Sequence, residues 1–156
     1  MVIQRWQSVL LLITVVLMGC FSFMSLGQIQ TETMTLNFTA LGLSQEGIAT
    51  NNAPEFQSVS TWYLFAVSIL SAALSLIAIF TFKNLRFQKR LCILSILCII
   101  CVIIAAAIIG YQVVDGGQVS WSSLICAPFI SLISTAMAYQ RISADQRIIR
   151  ESERLR

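Results

Sequence analysis

The sequence contains one pair of residues with the spacing of a redox site, Cys98 and Cys101, which are separated by two isoleucines. Such a pair exchanges electrons as a dithiol and a disulfide, and the attacking sulfur must be a thiolate that a partner protein can reach. Here the pair lies near the middle of an apolar run, where desolvation disfavours the charged sulfur. We therefore interpret it, together with Cys20, Cys92 and Cys126, as small apolar packing residues.

Other reactive side chains are scarce. The sequence has no histidine, and its long apolar runs contain no Asp, Glu, Lys or Arg. Metal sites built on histidine, proton relays and charged ion pathways all depend on such residues. Gly-rich phosphate loops and nucleophile elbows are also absent from the sequence. We therefore predict that the protein is not an enzyme and uses no cofactor.

Hydroxyl side chains are the main polar groups inside the apolar runs. Ser68, Ser71 and Ser75 follow helical spacing in one run, and Ser131 and Ser134 lie in another. Small hydroxyl residues let membrane helices approach closely, so we interpret them as packing residues. If the two sets faced each other across a shared cavity, they would instead indicate a small transporter or channel subunit for an uncharged or lipid-like solute. That is the alternative function.

The composition is typical of a membrane protein. Of the 156 residues, 57% are hydrophobic and 11% are charged, whereas soluble domains have about 45–50% apolar and about 25% charged residues. Apolar runs at about residues 8–26, 62–82, 91–111 and 121–139 predict four transmembrane helices. We therefore expect a single domain over residues 1–156, an all-α, up-down four-helix transmembrane bundle with an outer loop at 27–61 and a tail at 140–156.

The charges predict the orientation of this bundle. All ten Lys and Arg residues lie at the start of the chain, in the loop between the second and third runs, or in the tail. In the segments 27–61 and 112–120, every charged residue is acidic. Basic flanks remain in the cytoplasm, so we expect both termini there. The excess of bases favours contact with anionic lipid headgroups. It does not indicate nucleic acid, because cytoplasmic flanks are generally basic.

The first apolar run allows a second interpretation. Residues 1–5 are similar to the basic start of a signal peptide, and Leu17-Met18-Gly19-Cys20 is similar to a lipoprotein cleavage box. Cleavage there would leave three spans and a lipid on Cys20. However, Met18 is a poor fit to the small residue expected before the glycine, and residues 21–26 stay largely apolar. We therefore expect an uncleaved anchor.

The loops on the outer side indicate some β structure. Apolar and polar residues alternate over 33–40, which predicts a short strand, and Leu41-Gly42-Leu43 reads as a turn. In the second loop, valines flank Asp115-Gly116-Gly117, which predicts a tight hairpin over 113–119. The two loops could pair into a small β cap.

On the other side, the sequence predicts helical structure. The inner loop 83–90 is short, so the second and third helices should form an antiparallel hairpin. The tail is expected to be helical, because Arg147 and Glu151 have the spacing of a helical ion pair. It would either continue the fourth span or lie on the membrane surface. Pro128 is expected to kink the fourth helix.

Three basic segments are similar to segments of a known family. Residues 1–8 resemble an opening M-I-Q-R-I-Q-T, and residues 83–91 resemble K-N-R-x-L-Q-x-R-L, with Leu85 in place of the usual Arg. Residues 141–156 resemble R-A-I-x-x-D-E-x-L-V-R-S-x-D-R-L-R, with Gln146 for Glu and Glu151-Ser152-Glu153 for S-x-D. In these segments the chain resembles a Bacteroidota family of small four-helix inner-membrane proteins, classed as a domain of unknown function.

The resemblance implies a multi-pass protein of the bacterial inner membrane, and it brings no activity with it. Because its segments all lie on the predicted cytoplasmic side, we expect contacts with a partner or with headgroups there, or salt bridges between the inner loop and the tail. The residues expected in these contacts are Arg5, Asn84, Arg86, Gln88, Arg90, Asp145, Arg150, Arg154 and Arg156. The function expected is that of a non-enzymatic accessory or scaffold subunit, bound to another membrane protein or to a second copy.

Overall fold

The computed structural model describes residues 2–31, 34–46, 61–81, 84–114 and 118–154. Its long helices are α1 (Val2–Phe23), α2 (Trp62–Phe80), α3 (Leu85–Val114) and α4 (Ala127–Arg154), and a 3-10 turn, Ser123–Cys126, precedes α4. All four helices are long and apolar enough to cross a membrane. The prediction of four membrane-spanning helices is confirmed to this extent.

The helices form a ring in which each one packs against two neighbours. Both α1 and α3 contact α2 and α4. Residues three or four positions apart lie on the same face of a helix. In each helix, one such face packs into the interior of the bundle. On α1 this face carries Leu11, Met18 and Phe21, which are fully buried. The outer surface carries large exposed apolar side chains such as Leu97 and Ile133, as expected for helices that face hydrocarbon.

The two ends of the bundle differ in chemistry. The start of α1, the turn between α2 and α3, and the second half of α4 meet at one end, which we call the basic end because the Lys and Arg residues of the described helices lie there. Gln7 of α1 donates a hydrogen bond to Asp145 of α4. Lys89 Nζ of α3 lies 5.1 Å from the ring centre of Tyr139 on α4. These contacts tie three helices together at this end.

A small sheet lies at the opposite end, which we call the sheet end. Its antiparallel strands follow the order β3-β2-β1-β4 and comprise β1 (Ser25–Thr31), β2 (Met34–Thr39), β3 (Gly42–Glu46) and β4 (Gln118–Trp121). The strand predicted over 33–40 is therefore confirmed as β2. Because β1 pairs with β4, with Gly27 opposite Trp121, the two loops form one sheet.

The ring of Trp121 fixes this sheet against α3. A Cβ atom added at Gly110 would lie 3.3 Å from Trp121 Cη2, and one added at Gly27 would lie 3.1 Å from the Ser120 carbonyl oxygen and 3.4 Å from Trp121 Cε3. Gly110 therefore leaves room for the indole, and Gly27 leaves room for the backbone of β4. Such close approach of a ring to backbone is a common reason for glycine inside a strand or a helix.

One prediction for these loops is wrong, and the position of another is shifted. The hairpin predicted over 113–119 does not form, because Val113 and Val114 end α3 while β4 pairs with β1; residues 115–117 lie outside the described residues. The turn predicted at 41–43 lies one residue earlier, at Ala40 and Leu41. Gly42 already begins β3, with a φ of 154° that favours glycine.

At the basic end the helices extend past the predicted apolar runs. Since α3 begins at Leu85, most of the predicted inner loop is helical, and the carbonyl oxygen of Asn84 accepts the backbone N–H groups of Phe87 and Gln88 at 3.0 and 2.9 Å. The tail continues α4 without a break to Arg154. A helix of 28 residues is about 42 Å long, which exceeds a hydrocarbon core of about 30 Å.

The mid-helix kink predicted at Pro128 is also wrong. Because α4 begins at Ala127, the proline lies in the first turn, where its missing N–H would have no acceptor within the helix. Ser131 Oγ donates a hydrogen bond of 2.7 Å to the Pro128 carbonyl. The proline therefore marks the start of this helix.

Candidate functional site

Hydroxyl side chains inside the bundle bind neighbouring helices to each other. Ser22 and Ser68 pair between α1 and α2, with 2.7 Å between their oxygens. Ser75 and Ser95 pair between α2 and α3 at 2.9 Å. Between α1 and α4, Thr14 pairs with Thr135 at 3.0 Å, and Ser134 Oγ donates to the Leu10 carbonyl at 2.7 Å. Such contacts stabilise membrane helix packing.

The two serine sets considered for a solute pathway make their hydrogen bonds to other groups of the described residues. Ser68 and Ser75 bind α1 and α3, as just described, and Ser71 Oγ donates to the Ser68 carbonyl at 2.9 Å. On α4, Ser131 lies against the sulfur of Met18 at 3.3 Å. Among the described residues these hydroxyls therefore join adjacent helices, and no hydrogen bond links the two sets across the bundle.

The cysteines differ in their surroundings. Cys92 is buried in the core, and Cys20 and Cys98 are half-buried. Cys101 and Cys126 are exposed on the outer surface, so the interpretation of all five cysteines as packing residues is wrong for these two. Cys98 and Cys101 remain in the middle of α3, within a span. No group of His, Cys, Asp or Glu suited to a metal ion occurs in the part of the chain that the structure describes.

The residues predicted to contact a partner or headgroups fall into three groups, and those that the structure describes lie at the basic end. Asn84, Arg86 and Arg90 are exposed around the start of α3, whereas Gln88 points into the bundle and is only 2% exposed. Asp145 is half-buried and accepts the hydrogen bond from Gln7. The remaining side chains lie outside the described part of the structure: Arg5 on α1, Arg150 and Arg154 on α4, and the whole of Arg156.

Polar side chains close the interior of the bundle at this end. Gln7 and Gln88 are each 2% exposed, from α1 and α3. Gln7 binds Asp145, whereas Gln88 Oε1 and Ser143 Oγ are buried without a hydrogen-bond partner in the described part of the chain. Since buried polar atoms are nearly always paired, these two acceptors have free capacity for water or another donor.

Two grooves flank α4 at the basic end. The groove towards α3 has a volume of about 230 Å³ and is lined by Lys89, Ser143, Gln146 and Arg147. Its two bases are already engaged: Lys89 lies over the Tyr139 ring, and Arg147 Nε donates to Glu151 Oε1 at 3.1 Å. This groove is polar, and its charges are partly satisfied.

The groove towards α1 is different. It has a volume of about 380 Å³ and is lined by Trp6, Leu10, Met137 and Arg141. We call it the α1–α4 groove. Trp6 is 65% exposed and Met137 is 47% exposed, so no other described element covers it. Its lining combines aliphatic side chains, an indole and one guanidinium.

Reasoning from the sequence singled out none of these four residues as a site. Trp6 was assigned no role, and Arg141 was counted only among the bases of the tail. A signal was nevertheless present, because Trp6 stands two residues before the first predicted span and Arg141 two residues after the fourth. Antiparallel first and last helices bring these two positions to the same depth. Without the helix packing, nothing indicated that they face one groove.

Comparison with known proteins adds the family of the chain. A family model described as a domain of unknown function (DUF4293) matches residues 3–155. No curated protein matches the chain. The resemblance to an uncharacterised family, inferred from three basic segments, is confirmed at this level, while the bacterial group and the motif details stay predictions.

Proposed function

Because this chain belongs to the DUF4293 family, whose function is unknown, we propose its function from its own side chains. The protein is a multi-pass component of the bacterial inner membrane with both termini in the cytoplasm. It acts as a non-enzymatic accessory or scaffold subunit. Its bundle packs beside another membrane protein, or a second copy, and its basic end contacts anionic headgroups or an acidic surface of that partner.

One observation carries this proposal. The hydroxyl side chains of the spans form hydrogen bonds inside the bundle, whereas several bases at the basic end form no ion pair with a described residue. The hydroxyls within the spans bind neighbouring helices, which supports a packing role. By contrast Arg86, Arg90 and Arg141 are exposed, and none of them forms an ion pair with a described residue. Unpaired bases beside a membrane attract anionic lipids and acidic protein surfaces.

The charge distribution also supports the orientation. In the described helices every Lys and Arg lies at the basic end, and such flanks are retained in the cytoplasm during insertion. The buried positions of Met18 and Phe21 in the core support an uncleaved α1, because removal of the chain before Cys20 would leave the ring of helices incomplete.

We expect the tagged full chain, expressed at its native level and purified in mild detergent, to retain one membrane protein at a fixed molar ratio. Combining Arg86→Gln with Arg90→Gln should raise the dissociation constant of the complex by about fivefold and so lower that ratio, because two exposed charges together contribute about 1 kcal/mol at such a contact. Quantitative mass spectrometry of the purified complex measures the ratio. Arg147→Gln is the matched control, because Arg147 is engaged by Glu151 and should leave the ratio unchanged.

Two results would contradict the accessory role. One is a preparation that contains single copies of the chain with no second copy and no other protein at a fixed ratio. The other is a reconstituted vesicle in which the chain alone moves an uncharged or lipid-like solute down its gradient. Either result would favour the small transporter or channel subunit.

A further inference from the structure

We propose that the α1–α4 groove binds one anionic phospholipid, with the phosphate at Arg141 and an acyl chain along Leu10 and Met137. The inference rests on the membrane location in the proposed function, but it does not depend on the accessory role. It assigns a discrete ligand site to one part of the basic end, where the proposed function requires only a general attraction.

The register of α1 against α4 gives the groove a polar and an apolar half. Trp6 and Leu10 are one turn apart on α1, and Met137 and Arg141 are one turn apart on α4. The two helices are antiparallel, because Gln7 contacts Asp145 at the basic end and Thr14 pairs with Thr135 deeper in the bundle. Trp6 and Arg141 therefore form the mouth, and Leu10 and Met137 lie about 6 Å deeper.

This order matches the order of groups in a phospholipid. The headgroup of a lipid lies at the interface, where indole rings and guanidinium groups are favoured, and its acyl chains extend towards the middle of the membrane. A free anion would use Arg141 and leave the two aliphatic side chains without an apolar partner. A lipid satisfies both halves of the groove at once.

Arg141 is available to bind such a phosphate. The guanidinium is exposed, and within the described ranges no carboxylate or carbonyl group accepts a hydrogen bond from it. Its planar set of N–H donors suits the oxygens of a phosphate, and hydrogen bonds to a charged group are among the stronger ones. Trp6, which is 65% exposed, adds an indole ring with one N–H donor to the lining of the same mouth. The groove towards α3 lacks both an apolar half and a free base, since Lys89 and Arg147 are engaged.

The test is lipid titration of the full chain in detergent, with bound lipids counted by native mass spectrometry. Phosphatidylglycerol, phosphatidylcholine and inorganic phosphate are added separately. We expect one phosphatidylglycerol to bind more tightly than phosphatidylcholine, and Arg141→Gln to weaken phosphatidylglycerol binding about tenfold, because a hydrogen bond to a charged group contributes about that factor. Arg147→Gln, which removes the same charge from the same helix, should leave it unchanged.

A second variant examines the apolar half. Leu10→Trp places a larger side chain in the deeper part of the groove and should weaken phosphatidylglycerol and phosphatidylcholine binding alike, while circular dichroism shows an unchanged helix content.

Equal losses in Arg141→Gln and Arg147→Gln would overturn the discrete site and leave diffuse charge attraction. Binding of inorganic phosphate that displaces phosphatidylglycerol would overturn the lipid as the occupant. A chain that binds the lipid but has no protein partner would contradict the accessory role alone.

Discussion

Replacing Phe21 by alanine will lower the free energy of unfolding of the bundle by about 3 kcal/mol or more. The ring is fully buried in the core cluster with Met18, Leu64 and Ile109. Its removal leaves a cavity among helices that associate mainly through close packing. Unfolding of the purified chain in mixed micelles of mild detergent and dodecyl sulfate, followed by circular dichroism, measures the difference.

Phe80→Ala is the matched control for this change. Phe80 is 73% exposed at the end of α2, so the same truncation should alter the unfolding free energy by less than about 0.5 kcal/mol. Equal effects of the two variants would contradict the buried position of Phe21. They would also revive the cleaved lipoprotein, because Phe21 follows Cys20 and would then lie at the start of the mature chain.

Replacing Ser68 by leucine will separate α1 from α2. The serine is fully buried, and its oxygen lies 2.7 Å from that of Ser22, so three additional carbon atoms have no space. Overpacking of this kind reduces stability by about 1–3 kcal/mol, and the hydrogen bond is lost as well. We expect a lower midpoint in the same unfolding measurement and a larger loss than in Ser68→Ala, which removes only the hydroxyl and its hydrogen bonds with Ser22 and the Phe65 carbonyl.

Ala66→Leu provides the comparison on the same helix. Ala66 is exposed on the outer face of α2, where a leucine meets only lipid or detergent, and the midpoint should not fall. If Ser68→Leu were tolerated as well as Ala66→Leu, the space between α1 and α2 would be wider than the structure has it. A solute pathway along the serines would then become the better explanation.

The general architecture could be predicted because one physical rule governs it. A backbone in hydrocarbon must satisfy its own hydrogen bonds, so uncharged apolar runs of sufficient length are helices. The alternation over 33–40 likewise predicted β2. The ends of the helices were less predictable, because Arg86 and Lys89 mark where the membrane ends rather than where the helix ends. Charged residues of this kind are good helix formers in water.

The tertiary details depended on information that the sequence does not carry locally. Pro128 predicts a kink only if the helix has already begun, and its start at Ala127 is set by the preceding 3-10 turn and the sheet. Gln88 lies in a basic segment and was expected to contact headgroups, yet its position on α3, one turn before Cys92, turns it inward. The α1–α4 groove required the register of two helices that are more than a hundred residues apart in sequence.

The proposed accessory function requires the basic end to lie in the cytoplasm, and labelling of single cysteines tests this most directly. The five native cysteines are replaced, and either Ser120→Cys at the sheet end or Gln140→Cys at the basic end is introduced; both positions are exposed. In intact spheroplasts, a membrane-impermeant maleimide should label the cysteine at position 120. The cysteine at position 140 should react only after the membrane is permeabilised. The reverse pattern would contradict the cytoplasmic basic end, and labelling of both positions without permeabilisation would contradict the arrangement of the spans.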